Sequence, residues 1–230
     1  MTAARPRSEA DQKGPIPMRS YCFDTMEPRD AYKLITGVVQ PRPIAWVSTV
    51  DHAGVRNLAP YSFFTVASRD PVTLFLSIGA TARPGHRLKD TLANILDTGE
   101  LVVNIVSTPV LEAMARSSAE VPGDVDEFAF AGLDAVASAR VRPPRVAQAA
   151  VAIECVLDEA KQVGTDTAVF ARALWLHAGA GLVDGAFHVD TAALRPVGRM
   201  AGAAYCLDPA VTPSPPIPLW DSATGEVWQP

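Results

Sequence analysis

The amino-acid sequence predicts a mainly β fold, built from antiparallel strands with a few short helices. Three β-type segments, residues 44–50, 57–67 and 72–78, follow one another with only short turns between them. Parallel strands would need longer, usually helical, connections, so the three segments indicate an antiparallel meander. Two later segments rich in Val, Ile and Phe, residues 150–162 and 168–178, are typical of strands that close a β-barrel.

Two helices are predicted in the first half of the chain. Residues 27–37 have Pro28 in the first turn and Gly37 at the end. Residues 88–96 place four apolar side chains on one helical face, and Gly99 follows them. Those side chains belong to Leu88, Leu92, Ile95 and Leu96.

The second half of the chain alternates short elements with breaks. Residues 101–106 predict a buried strand, and residues 109–117 predict a helix with proline at its start. The acidic and aromatic residues 124–132 indicate a short helix and turn, after which Pro143 and Pro144 interrupt the chain. Residues 187–189 predict one more short strand.

We expect one domain, residues 21–207, between a flexible polar tail (1–20) and a C-terminal arm (208–230) rich in Pro and Trp. The arm is extended rather than globular. It is either a disordered end or a segment that packs across a partner subunit. Trp220 and Trp228 are the reason to consider the second interpretation, because two tryptophans are costly to leave in water.

Composition narrows the function classes. The net charge of −5 argues against nucleic-acid binding. Neither a signal peptide nor an apolar run long enough to span a membrane is visible, so we expect a cytoplasmic protein. The three widely spaced cysteines predict no disulfide framework and no metal site, and Cys155 is expected to be a buried core thiol.

Three motifs combine small polar side chains with aromatic ones. They are Arg42-Pro-Ile-Ala-Trp-Val-Ser-Thr49, Asn57-Leu-Ala-Pro-Tyr-Ser-Phe-Phe64 and Lys89-Asp-Thr-Leu-Ala-Asn94. Lys89 and Thr91 begin a predicted helix, where free N–H groups and the helix dipole favour a phosphate. Ala59 and Pro60 leave room for a flat ring. Taken alone, each motif more often has a turn, cap or solvated-surface role, so the residues by themselves indicate a β-rich domain with an anion site as one hypothesis.

In this order and spacing, the motifs resemble the flavin reductase-like family of FMN-binding split barrels. The resemblance, which spans residues 21–205, is extended by Asn104-Ile-Val-Ser107, Asp126-Glu-Phe-x-x-Ala-Gly-Leu133 and Pro196-Val-Gly-Arg199. It implies a six-stranded Greek-key split barrel, a homodimer, and FMN, or FAD in its place, bound near the subunit interface.

The resemblance also implies a set of cofactor-binding residues. Those expected along the isoalloxazine ring and ribityl chain are Ser48, Thr49, Asn57, Ala59 and Ser62. Those expected at the ribityl phosphate are Ser77, Arg83, Lys89 and Thr91, with Arg42 as a further candidate. No catalytic acid or base is assigned, and the four histidines are expected to be structural or exposed.

The leading functional hypothesis is an oxidoreductase in which NAD(P)H delivers hydride to the flavin, which passes electrons to free flavin, oxygen or a partner. No Gly-x-Gly-x-x-Gly motif follows a strand, so no Rossmann nicotinamide site is predicted. The family resemblance implies instead that the nicotinamide stacks on the exposed flavin face. One alternative is a dedicated flavin-dependent oxidoreductase acting on a specific small organic substrate. The other is a non-enzymatic flavin or haem carrier on the same barrel.

Overall fold

The computed structural model of the chain describes residues 16–81, 85, 87–221 and 226–228. Arg83, one of the expected phosphate contacts, and His86 lie outside these residues. Within them, the chain is mainly β with antiparallel strand pairing, as predicted.

The elements are short except for one long hairpin near the middle of the chain. The helices are α1 (Pro28–Val38), α2 (Asp90–Thr98), α3 (Leu111–Arg116), α4 (Glu127–Ala131) and α5 (Thr191–Leu194). The first strands are β1 (Arg42–Pro43), β2 (Ala45–Val50), β3 (Arg56–Tyr61), β4 (Phe64–Arg69), β5 (Val72–Ile78) and β6 (Glu100–Ile105). The later strands are β7 (Ala135–Val136), β8 (Arg145–Val146), β9 (Val151–Val163), β10 (Asp166–Ala178), β11 (Val197–Arg199), β12 (Tyr205–Leu207), β13 (Leu219–Asp221) and β14 (Glu226–Trp228).

The main sheet has seven antiparallel strands in the order β3-β2-β6-β9-β10-β5-β4. Although β3 and β4 are consecutive in the chain, they lie at opposite edges of the sheet. The backbone N–H of Ser77 on β5 donates to the carbonyl of Phe63, between β3 and β4, at 2.8 Å. This bond extends the β4–β5 pairing. Only Ser62 and Phe63 separate the end of β3 from the start of β4, so the two edges meet at this connection and the sheet curls on itself.

This arrangement corrects two expectations. Residues 57–67 are not one strand, because Ser62 and Phe63 separate β3 from β4. The three early β segments also do not form a consecutive meander, since β3 pairs with β2 whereas β4 pairs with β5. The main sheet consequently has seven strands rather than six.

Two hydrophobic clusters cover opposite faces of β2. Val47 faces the inside of the curled sheet, where α2 contributes Leu92 and Ile95. Trp46 faces the other way and packs with Phe128 of α4. Cys155 is fully buried in the inner cluster, as predicted, and burial is the main reason that its pKa rises to about 12. Because both faces of β2 are covered, the successive residues Ala45, Trp46 and Val47 are all apolar and buried instead of alternating with exposed polar ones.

Shorter sheets lie around the main one: β1-β11-β12, β7-β8 and β13-β14. The predicted strand at residues 187–189 is reduced to a single bridge between Val189 and Val183. Residues 209–218 have no regular structure, after which β13 and β14 form a short hairpin that the sequence did not predict. Among the described residues, no helix is both long enough and apolar enough to cross a membrane.

Candidate functional site

Three neighbouring cavities lie along β3 and its continuation. The helix cavity, about 200 Å³, lies at the N-terminus of α2 and is lined by Asn57, Ala59, Pro60, Tyr61, Thr81, Lys89, Asp90, Thr91, Ser117, Ser118, Ala119, Glu120 and Glu127. The arginine cavity, about 460 Å³, is lined by Tyr32, Lys33, Thr36, Arg42, Ile44, Pro60, Ser62, Met114, Ser118, Arg199, Ala201, Gly202 and Tyr205. The phenylalanine cavity, about 520 Å³, is lined by Ile35, Thr36, Val39, Pro41, Arg42, Pro43, Ser62, Phe63, Phe64, Thr65, Phe75 and Ser77.

The three cavities share walls and form one groove. Pro60 and Ser118 line both the helix cavity and the arginine cavity. Arg42 and Ser62 line both the arginine cavity and the phenylalanine cavity. A ligand longer than any one cavity can therefore lie along β3, and the larger cavities have the size typical of small-molecule sites.

A buried polar network forms the floor of the helix cavity. The Nδ2 of Asn57 donates to Glu127 Oε2 at 2.6 Å, and the Oδ1 of Asn57 accepts from Thr91 Oγ1 at 2.6 Å. Thr49 Oγ1 also donates to Asn57 Oδ1, at 3.3 Å, because the β2–β3 register places these residues opposite each other. Asn94 Nδ2 then donates to Thr49 Oγ1 at 3.0 Å. The network fixes β3 against α2 and α4.

The N-terminus of α2 opens into the same cavity. Lys89 is the N-cap residue, and its side chain does not cap the helix. Its Nζ lies 5.7 Å from the centre of the Tyr61 ring, and no carboxylate of the described residues forms an ion pair with it. Burial, opposed by a hydrogen bond with Thr91, raises the pKa of Tyr61, so its phenol stays neutral at physiological pH. A cation and a helix N-terminus thus face this end of the groove.

Arg42 joins α1 to the groove. Its Nη1 donates to the carbonyls of Thr36 at 2.7 Å and Val39 at 2.8 Å, which are at the C-terminal end of α1. Its Nη2 donates to the carbonyl of Met200 at 3.3 Å, and its Nε donates to Ser62 Oγ at 3.4 Å. The guanidinium therefore has a structural role besides its position in the cavity wall.

Two of the expected residues turn away from the helix and arginine cavities. Ser48 is fully buried, and its Oγ donates to the carbonyl of Pro144 at 2.6 Å. Ser77 lines the phenylalanine cavity and donates to Asp166 Oδ2 at 3.3 Å. Of the other expected residues, Asn57, Ala59, Lys89 and Thr91 meet at the helix cavity, Arg42 and Ser62 lie further along the groove, and Thr49 lies beneath it.

Two residues were not assigned to the site from the sequence, although both belong to motifs that carry the family resemblance. Glu127 is 7% exposed and accepts from the backbone N–H of Leu58 as well as from Asn57. Arg199 lies directly opposite Arg42 in the β1–β11 pair. The neighbour of Glu127, Asp126, caps α4 and pairs with Arg56, which accounts for the acidic doublet in that motif.

Comparison with known proteins agrees with this fold. A family model described as flavin reductase like domain matches residues 40–192. A protein of Aquifex aeolicus is 41% identical over 174 residues, which are 76% of this chain and 88% of the relative.

Solved structures are also similar. Nitrilotriacetate monooxygenase component B from Bacillus cereus superposes with a TM-score of 0.81 and 29% identity, over 87% of this chain and 100% of that one. The 2-nitrobenzoate 2-nitroreductase NbaA from Pseudomonas fluorescens gives a TM-score of 0.79 and 28% identity, over 89% and 100%. A flavin reductase with a split barrel domain from Shewanella frigidimarina gives a TM-score of 0.73, which confirms the expected split-barrel fold. The chain therefore belongs to the flavin reductase like domain family.

Proposed function

We propose that the protein is an FMN-dependent oxidoreductase of the flavin reductase type, which takes hydride from NAD(P)H and delivers electrons onward. A cytoplasmic location is part of this proposal. The observation that carries it is the groove along β3, which has Lys89 and the N-terminus of α2 at one end and small, flat walls in its middle. Family membership supports a flavin as the ligand.

The residues at the helix cavity suit the phosphate end of FMN. The Lys89 ammonium and the backbone N–H groups of the first turn of α2 are donors of the kind that bind phosphate. Asp90, Glu120 and Glu127 line the same cavity and oppose an anion. The phosphate would therefore lie on the Lys89 side, away from Glu127, whose carboxylate is occupied by Asn57 and Leu58.

The middle of the groove suits the flavin ring. Ala59 and Pro60 present no long side chain, and Ser62 follows them along the same edge of the sheet. Beneath them, the Asn57, Thr91 and Thr49 side chains bond to one another and hold the floor rigid. FMN supplies the hydride and electron chemistry when bound, while the protein supplies binding, orientation and electrostatics.

A second candidate function is direct reduction of one small organic substrate. It is favoured by the 28% identity to a 2-nitrobenzoate 2-nitroreductase over 89% of this chain. The groove supports it too, because the arginine cavity adjoins the proposed flavin site and is large enough for a small molecule. A flavin or haem carrier on the same barrel is the non-enzymatic alternative.

We also propose that the protein is a homodimer with the flavin near the interface. Apolar side chains on α1 and β4 are exposed in the single chain, including Val38 (74%) and Val66 (62%). These residues are close in sequence to those lining the phenylalanine cavity. Light scattering on the purified protein should give the mass of two chains, and a monomer would contradict this part of the proposal.

A spectrum of the purified protein tests the function. We expect flavin absorption bands that bleach when NADH or NADPH is added without oxygen. Flavin bands that neither nucleotide bleaches would contradict the reductase and favour the carrier or the dedicated enzyme. A Soret band would indicate haem. Stoichiometric release of FMN on denaturation identifies the cofactor, and FAD in its place would revise only its identity.

A further inference from the structure

The arginine cavity is positively charged. Its wall contains Lys33, Arg42 and Arg199 but no Asp or Glu. Lys33 pairs with Asp30 at 2.7 Å, and both side chains are exposed. The charge that faces the cavity therefore comes mainly from the two arginines.

Arg42 and Arg199 are directly opposite each other in the β1–β11 pair. Like charges in this position destabilise a sheet. Within the described parts of the chain, neither guanidinium forms an ion pair, and their acceptors are hydroxyl groups and backbone carbonyls. The repulsion between the two arginines is thus not offset by a carboxylate of the described residues.

The two arginines differ in how many of their N–H donors remain available to a ligand. Arg42 is buried and uses Nε, Nη1 and Nη2 in its four hydrogen bonds. Arg199 donates only to Tyr205 Oη, at 2.8 Å, and to the carbonyl of Gly202, at 2.5 Å, among the residues described. A guanidinium has five N–H donors. Arg199 therefore retains donors for a ligand, and the Tyr205 ring, 4.8 Å from its Cζ, helps to hold it in place.

We propose that the arginine cavity binds the anionic group, a carboxylate or a phosphate, of the molecule that exchanges electrons with the flavin, with Arg199 as its main contact. The link to the flavin rests on the proposed function, because the cavity shares Pro60 and Ser118 with the helix cavity. Planar bidentate recognition of either anion is the role for which arginine is best suited. Tyr32, Ile44 and Met114 supply apolar surface for the rest of the molecule.

Calorimetric titration of the FMN-loaded protein with benzoate and with neutral benzamide tests for a carboxylate site. A charge-assisted hydrogen bond predicts that benzoate binds about 10- to 100-fold more tightly. Arg199→Gln should remove this preference, whereas Arg199→Lys should keep part of it. Arg172→Gln is the matched control, because Arg172 is exposed on β10 and lines none of the three cavities. Thermal melts of each variant establish that it is folded.

A second pair of probes tests for a phosphate. Nicotinamide mononucleotide, in the oxidised form that has no hydride to pass to FMN, should bind more tightly than oxidised nicotinamide riboside, which lacks the phosphate, and the same variants apply. The proposal is supported if the wild type prefers the anionic probe of either pair and Arg199→Gln removes that preference. The pair that shows the effect identifies the anion. Equal binding within both pairs would overturn it, as would loss of FMN itself in Arg199→Gln, since that result assigns Arg199 to the cofactor. If the protein prefers the anions but binds no FMN, the result would support the anion site and contradict the proposed function.

Discussion

The carboxylate of Glu127, on α4, lies 2.6 Å from the side-chain amide of Asn57, on β3, in a place where both side chains are nearly out of contact with water. Glu127 also accepts from the backbone N–H of Leu58, so one side chain satisfies two buried donors of the strand that lines the groove. A helix far away in the sequence thus determines the position of β3 in the proposed flavin site.

Glu127→Ala should lower the free energy of unfolding, because it leaves the donors of Asn57 and Leu58 buried without an acceptor. Each such group costs about 1–3 kcal/mol. Urea denaturation monitored by tryptophan fluorescence measures the change. Glu112→Ala on the exposed side of α3 is the control and should have little effect. Equal stability of the two variants would show that the network contributes nothing.

Lys89→Ala should weaken FMN binding by about 10- to 100-fold, because a charge-assisted contact with phosphate is lost. Riboflavin lacks the phosphate and should bind the variant and the wild type alike. Quenching of flavin fluorescence during titration measures both affinities. Lys161→Ala removes the same charge from an exposed position on β9. If FMN affinity falls no more in Lys89→Ala than in this control, Lys89 is not a phosphate contact.

Two glycines should respond in opposite ways to alanine. A Cβ on Gly198 would lie 2.7 Å from the Cβ of Pro41, whose ring cannot move aside, so Gly198→Ala should cost about 1–3 kcal/mol. A Cβ on Gly37 meets nothing within 4 Å in the helix α1, so Gly37→Ala should add about 0.5–1 kcal/mol. Thermal unfolding of the two variants gives the signs. Stabilisation by Gly198→Ala would mean that β11 lies further from Pro41 than this contact requires.

The free energy of unfolding should fall in acid, because the ionised form of Glu154 stabilises the fold. Burial opposes its ionisation, but the N–H groups of Ala139 and Arg140 and the imidazole of His177, 2.6 Å away, outweigh it and hold the pKa of Glu154 below its usual range. A lowered pKa stabilises the fold above the unfolded-state pKa, about 4.3 for Glu, and this stabilisation is lost as the pH falls through the folded-state pKa.

The test of this pH dependence is denaturation between neutral pH and pH 3. Glu154→Gln should be less stable than the wild type at neutral pH, and the difference should shrink as the pH falls. Glu159→Gln, which changes an exposed carboxylate on the same strand, should not reproduce this convergence. A difference that stays constant across the range would contradict the role of Glu154 ionisation.

Several elements can be predicted from the sequence because their signals are local. The spacing of Leu92 and Ile95 identifies α2, and Gly99 ends it in the left-handed conformation that glycine favours. The apolar run of β5 is predicted with its observed bounds. The break between β3 and β4 is not, because one serine beside a phenylalanine is only a weak turn signal. The bend follows from closure of the sheet.

The site is predictable where residues lie together in the sequence and not where the fold brings them together. Lys89 and Thr91 share one motif at the start of a helix, so their common place at one cavity follows from the sequence alone. Glu127 reaches Asn57 across 70 residues, and a carboxylate in a sequence is by default expected at the surface. Arg199 can be assigned to the cavity only once the β1–β11 register is known, because that register places it opposite Arg42.

The position of β3 and β4 at opposite edges of the main sheet has a consequence for synthesis of the chain. The β2–β3 and β4–β5 hairpins can form locally, but β6, β9 and β10 lie between them in the main sheet. Of the strands in this sheet, β9 and β10 are the last to be synthesised. A nascent chain that has not yet reached Asp166 lacks the strand that covers β5. Its apolar strands would be exposed until the β9–β10 hairpin joins the sheet. In that state β-rich chains tend to aggregate.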